Sequence, residues 1–271
     1  IEDEIKVTKN LTEEIILEEV DTDITGEGTK DKPYKIYTFT GLEKVMEEDK
    51  YELDAYYELG NDIDASPTME RTYNDGKGWQ PIGDFNNAFT GYFDGKDHTI
   101  TDLYIARPEE RFIGLFASFK KGEISNVNLT NIEIEGKNNV GGITGYSSGK
   151  ISNVHVTGEI NNTYETGKIG GLIGENNNGV ILDCKSEVEV FGTGSYIGGL
   201  IGLSTGDDYK VENCSATGDV YGLNSDGDRV GGLIGSSSGI RSIVKDSYST
   251  GSVEGKKFSI GGLIGKNEET Y

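Results

Sequence analysis

The chain has 271 residues, with 40 Gly, 4 Pro, 2 Cys and a formal charge of −22. Glycine at this level without a Gly-X-Y period excludes collagen. The acidic balance excludes a nucleic-acid or anionic membrane surface, since both need basic residues. No apolar run approaches the roughly 20 residues that span a bilayer, and two cysteines make no disulfide framework.

In chain order, residues 1–25 are acidic and mixed and read as a lead-in or linker, with Ile15-Ile-Leu17 as a candidate strand. The start at Ile1, with neither Met nor a signal-peptide pattern, predicts a removed leader or a piece cut from a larger protein. Thr40 and Glu43 have capping-box spacing and predict a short helix over 41–49, with Leu42, Val45 and Met46 on one face. Such a helix would cover an open strand edge, which otherwise invites aggregation. Residues 26–111 read as an N-terminal cap with irregular first coils, continuous with a regular array over 112–271.

That array is an internal repeat. Five copies read Val140-Gly-Gly-Ile-Thr-Gly145, Ile169-Gly-Gly-Leu-Ile-Gly174, Ile197-Gly-Gly-Leu-Ile-Gly202, Val230-Gly-Gly-Leu-Ile-Gly235 and Ile260-Gly-Gly-Leu-Ile-Gly265, with a degenerate copy at Ile113-Gly-Leu-Phe-Ala117. Their starts are 29, 28, 33 and 30 residues apart. Between them lie period-2 segments such as Ile151-Ser-Asn-Val-His-Val-Thr-Gly-Glu-Ile160 and Val211-Glu-Asn-Cys-Ser-Ala-Thr-Gly-Asp-Val220, which read as strands. A unit of this length is too short for a propeller blade and lacks the leucine-rich consensus, leaving a β-solenoid coil. Burying about four aliphatic side chains per coil contributes roughly 6–12 kcal/mol. Ordering the backbone costs more, at about 1–2 kcal/mol per residue, so coils are stable only when stacked.

Stacking predicts columns. Leu115, Ile143, Leu172, Leu200, Leu233 and Leu263 are placed inside, and the Gly pairs at sharp corners or close backbone approaches. Asn126, Asn153, Asp183, Asn213 and Asp246 are placed at turns, where Asn and Asp tolerate left-handed backbone and can form a hydrogen-bonded ladder.

Several motifs go beyond periodicity: Gly26-Glu-Gly-Thr-Lys-Asp-Lys-Pro-Tyr-Lys-Ile-Tyr37, Leu59-Gly-Asn-Asp-Ile-Asp-Ala65, Trp79-Gln-Pro-Ile-Gly-Asp84, Phe89-Thr-Gly-Tyr-Phe-Asp-Gly-Lys-Asp-His-Thr-Ile100 and Leu103-Tyr-Ile105. With the Gly-Gly-Leu-Ile-Gly copies, they resemble the GLUG-motif proteins: bacterial surface adhesins and the β-helical region of IgA-specific metallopeptidase-like proteins. The resemblance covers residues 26–265. It implies an all-β, right-handed parallel β-helix with a short N-terminal capping helix, the handedness also following from the crossover rule. The metallopeptidases carry a zinc-binding His-Glu-x-x-His helix in a separate domain. This chain has only His98 and His155, neither in that context.

Candidate chemistry is sparse. Glu133, Glu159, Glu189 and Asp219, ended by Ser252, would stack as a ladder of like charges, read as a solvated outer face in preference to a calcium site. Asn224, Asp226 and Asp228 resemble half a calcium loop without the distal Glu, and are the metal candidates beside a plain-turn reading. Cys184 and Cys214 share a column one repeat apart, a separation that suits a disulfide. Side chains on parallel neighbours point the same way, so stacked buried thiols are the preferred reading beside a disulfide. His98, beside Asp94 and Asp97, reads as structural, and His155 as exposed in a column with Asn128, Lys185, Ser215 and Tyr248. Trp79, Phe85, Phe89 and Phe93 read as packing residues, with a sugar-stacking surface as the alternative.

The sequence thus predicts a non-catalytic extracellular structural or adhesive module of a larger cell-surface protein. It would be monomeric, with no cofactor beyond the calcium candidate, and its partner an unidentified surface protein or glycan. A carbohydrate-active β-helix enzyme or polysaccharide-binding module is the alternative; an enzyme would need acidic and basic residues converging on one groove.

Overall fold

Strands of a few residues, broken by Gly, Asn and Asp corners, cannot pair with their sequence neighbours; each pairs in parallel with the equivalent strand one repeat later. A computed structural model of the chain, describing residues 22–47, 50–223, 229–256 and 259–268, shows this arrangement as a β-solenoid of about six regular turns. Ile124, Ile151, Ile181, Val211 and Val244 stack in register along one face. Val140, Ile169, Ile197, Val230 and Ile260 stack along another. A separate six-stranded sheet is built from Phe116–Phe119, Thr144–Ser147, Ile173–Asn177, Ile201–Thr205, Ile234–Ser238 and Ile264–Glu268. The aliphatic columns fill the interior: Leu115, Ile143, Leu172, Leu200 and Leu233 are fully buried, and Leu263, in the last described turn, is 38% exposed.

The repeat glycines, Gly262 excepted, are required for space. None from Gly141 to Gly145, or in the later copies, has a positive φ. A Cβ on Gly198 would lie 2.1 Å from the Ile201 carbonyl oxygen and 2.7 Å from the Gly235 nitrogen, and one on Gly202 2.6 Å from the Ile169 nitrogen. The two strands flanking each motif therefore fold against each other with only backbone between them, an approach no side chain allows.

The corner column needs the opposite property. Asn126, Asn153, Asp183, Asn213 and Asp246 all have φ between +50° and +55°. Their side chains form ladder bonds: Asn126 Nδ2 donates to Asp94 Oδ1 at 2.8 Å, Asn153 Nδ2 to Asn126 Oδ1 at 2.8 Å, and Asn213 Nδ2 to Asp183 Oδ1. Replacing Asn153 by alanine is expected to cost about 1–2 kcal/mol from the left-handed backbone alone, with Asn153→Gly costing less; urea midpoints measure both.

Asp94, at the foot of this ladder, sets an acid limit. Burial raises its carboxyl, but hydrogen bonds from Asn126 and Lys96 outweigh burial and hold it below its ordinary value. A depressed folded-state value stabilises the fold above the unfolded carboxyl's pKa of about 3.9. That stability is lost as pH falls through the folded value. Asn126→Ala is therefore expected to move acid unfolding, followed by circular dichroism, to higher pH.

The N-terminal end departs from expectation in detail. The helix is Phe39–Lys44, and Thr38, not Thr40, caps it: Thr38 Oγ1 accepts from the Gly41 N–H at 3.0 Å. Thr38 takes this role because its backbone is extended and its hydroxyl donates to Asp23 Oδ1 at 2.7 Å, a tertiary tether. Glu43, free of any capping box, accepts from the Tyr73 hydroxyl. Leu42 and Val45 are buried as expected, with Met46 packed beside the core. The strand Ile24–Thr25 pairs antiparallel with Tyr34–Ile36 and covers its free edge. Ile15-Ile-Leu17 lies outside the described residues.

Candidate functional site

The outward residues of each turn form continuous stripes. Glu133, Glu159 and Glu189 pair directly, Glu133 with Glu159 and Glu159 with Glu189, and all three are exposed. They border an open depression of about 400 Å³, lined also by Met69, Asn131, Gly158 and Glu187. The next outward column runs Glu135, Asn161, Phe191, Tyr221 and Glu254. Phe191 and Tyr221 stack there with ring centroids 4.9 Å apart and planes 7° off parallel, and the Tyr221 hydroxyl donates to Asp219 Oδ2. A single reactive centre needs an acid and a base held apart in different environments; the same carboxylate recurring in solvent on turn after turn lacks that asymmetry.

The two histidines sit two turns apart and each engages one carboxylate. His98 Nδ1 lies 3.0 Å from Asp62 Oδ1, a residue of the preceding coil, rather than against Asp94 or Asp97. Asp62 is held below the usual carboxylate range, first by the Thr99 N–H and then by His98. His155 stands in its expected column with Asn128 and Lys185, its Nε2 3.2 Å from Glu187 Oε1. Lys185 also pairs with Glu187, and that contact, ahead of His155, lowers the Glu187 carboxyl. Among the described residues no group of three or more His, Cys, Asp or Glu side chains is placed to hold a metal ion. Asn224, Asp226 and Asp228 lie outside the described residues. The residues present do not fit a metallopeptidase zinc centre: His98 contacts Asp62 and His155 contacts Glu187, two turns apart, with no second histidine beside either.

Cys184 and Cys214 are buried free thiols on successive turns. Each sulfur donates to a main-chain carbonyl, Cys184 to Leu182 at 3.1 Å and Cys214 to Glu212 at 3.2 Å. Burial pushes the Cys184 thiol well up. The hydrogen bond with Cys184 lowers the Cys214 thiol. Both residues are nevertheless buried, at 2% and 1% exposure, so thiol reagents at neutral pH are expected to label neither cysteine in the native chain and both in denaturant, read by mass. Of the four aromatics, Trp79, Phe89 and Phe93 are fully buried and Phe85 is 41% exposed. Phe85 stacks on Phe112 at 4.8 Å, meets Tyr146 edge-on at 5.4 Å and lies under Lys120 Nζ at 4.1 Å. Its ring is engaged within the chain, so the four make no common sugar platform. Sequence reasoning missed Phe112, Tyr146 and the Phe191–Tyr221 stack; the last is legible once Val190 and Val220 are placed in register.

These features define a parallel β-solenoid with repeating polar stripes. The family model for the N-terminal region of the M26 IgA1-specific metallo-endopeptidases matches residues 26–158, and the GLUG motif model matches residues 193–221. Halomucin of Haloquadratum walsbyi is 39% identical over 154 residues, 55% of this chain and 2% of halomucin. An immunoglobulin A1 protease of Streptococcus pneumoniae is 28% identical over 186 residues, 66% of this chain and 9% of the protease. The crystal structure of a candidate immunoglobulin A1 protease from Bacteroides ovatus shares the fold, with a TM-score of 0.67 over 90% of this chain and 86% of that chain at 21% identity. This chain thus resembles GLUG-repeat proteins and the N-terminal, β-helical part of IgA1 proteases, and spans a small fraction of its curated relatives' length.

Proposed function

We propose that the chain is a non-catalytic, extracellular β-helix module, a rigid spacer or adhesive platform within a larger cell-surface protein. The observation that carries this reading is the recurrence of the same outward carboxylate, Glu133 beside Glu159 and Glu159 beside Glu189: among the described residues the depression they border is lined by Glu, Asn, Gly, Ile and Met residues. The matches to halomucin and to the N-terminal region of IgA1 proteases support a place outside the cell. The test is incubation of the purified chain with a panel of uronic-acid polysaccharides and with immunoglobulin A1. No product is expected from either; release of oligosaccharides or of antibody fragments would overturn the reading. We propose that Asn224, Asp226 and Asp228, outside the described residues, hold no metal ion. A chelator is accordingly expected to leave the melting temperature unchanged, and a fall of several degrees would assign a stabilising calcium ion there.

A further inference from the structure

At one pair of turns the outer corner holds a lysine, an asparagine and a glutamate in contact. Lys168 and Asn139 are neighbours on adjacent strands, because Ile169 pairs with Val140. Glu175 faces them from the strand across the glycine corner. A single carboxylate oxygen, Glu175 Oε2, accepts from Lys168 Nζ at 2.7 Å and from Asn139 Nδ2 at 2.6 Å. The corner is partly desolvated: Asn139 is 1% exposed, and the Lys168 and Glu175 side chains are 21% and 17% exposed. Tyr146 and Leu203 flank Glu175 in register on either side, and Tyr196 flanks Lys168. The Asn139 Oδ1 atom is buried with no hydrogen-bond partner. A buried unpaired carbonyl is costly, and Asn139 shares this state with Asn138 and Asn176. The other turns place different residues at the same two positions: Phe112 with Ser118, Tyr196 with Leu203, Arg229 with Ser236.

We propose that Lys168 and Asn139 join through an intramolecular isopeptide bond, with Glu175 relaying the proton. Strands on adjacent turns lie about 4.8 Å apart, so a lysine side chain reaches the neighbouring amide carbon without backbone movement. Lys168 Nζ passes a proton to Glu175 Oε2 along their hydrogen bond, and the neutral amine attacks Asn139 Cγ. Glu175 delivers that proton to Nδ2 through its second hydrogen bond. The Cγ–Nδ2 bond breaks as the Cγ–Nζ amide forms. Two protons leave Nζ in all, and both depart with Nδ2, so one ammonium ion is released. Nothing is oxidised or reduced. Holding the amine and amide against one shared proton carrier supplies the proximity such a reaction lacks in water. The product ties turns 29 residues apart in sequence into a covalent loop, a brace suited to a chain stabilised only by stacking.

Intact-mass measurement of the purified chain tests this directly. The expected mass is lower than the encoded mass by one ammonia, with digestion yielding a branched peptide that joins Lys168 to Asn139. Lys168→Arg keeps the charge but removes the nucleophile and is expected to restore the encoded mass, as are Asn139→Ala and Glu175→Gln. An unmodified wild-type mass overturns the proposal. So does an ammonia loss that persists in Lys168→Arg, since that would mark Asn139 cyclising onto its own backbone. A branched peptide still formed by Glu175→Gln at the wild-type rate removes Glu175 from the reaction.

Discussion

Gly199→Ala is expected to destabilise the chain by about 3 kcal/mol or more, while Gly262→Ala, at the same place in the motif, changes stability by less than about 0.5 kcal/mol. A Cβ on Gly199 would lie 2.2 Å from the Gly232 carbonyl oxygen and 2.9 Å from the Ala216 Cβ, whereas one on Gly262 meets nothing within 4 Å. The obstacle at Gly199 belongs to the following turn, whose main chain cannot move aside without breaking its own pairing with Tyr196–Gly198. Overpacking against a side chain can relax by a rotamer change; overpacking against a main-chain carbonyl cannot. Urea denaturation of the two variants separates a requirement of stacking from one of local backbone conformation, because the two glycines have the same neighbours in sequence.

The second large effect concerns the irregular coils that precede the repeats. Trp79 is fully buried; its indole N–H donates to the Leu115 carbonyl at 3.1 Å, and its own carbonyl accepts from Arg107 Nε at 2.9 Å. Phe39, at the start of the helix, packs on the indole with centroids 6.0 Å apart. One side chain therefore joins the N-terminal helix to the first regular turn. Trp79→Ala is expected to cost about 3–5 kcal/mol through the cavity it leaves. Trp79→Phe should cost less, losing part of the volume and one hydrogen bond of about 1 kcal/mol. Circular dichroism during thermal melting measures both.

The regular turns were legible in the sequence because each column repeats a physical requirement. Aliphatic side chains recur where the interior must be filled, Asn or Asp where φ is positive, and Glu where the strand faces water. The requirement of the glycines was harder to read. A sharp corner and a close approach both call for glycine, and only the built backbone shows that space is the constraint. The early coils were illegible for another reason. Ile63 pairs with Ile100 across 37 residues, longer than any spacing in the regular array, so His98 meets Asp62 instead of its sequence neighbours. The helix cap moved from Thr40 to Thr38 because Asp23, fifteen residues upstream, holds the Thr38 hydroxyl. The polar column inside the stack was also unforeseen. Ser147, Asn176, Ser204 and Ser237 pair in register and are buried, with Asn176 Nδ2 donating to Ser204 Oγ at 3.1 Å. Each lies on the inward side of its strand, while the alternate residues Tyr146, Glu175 and Leu203 are partly exposed.

The register of adjacent turns can be measured directly. Cysteines placed at the exposed positions Glu159 and Glu189, in a chain with Cys184 and Cys214 replaced by valine and each new thiol carrying a pyrene, would sit on neighbouring strands about 4.8 Å apart. Strong excimer emission at protein concentrations too low for association is the predicted result. Monomer emission alone from the folded, doubly labelled chain would contradict the stacked architecture.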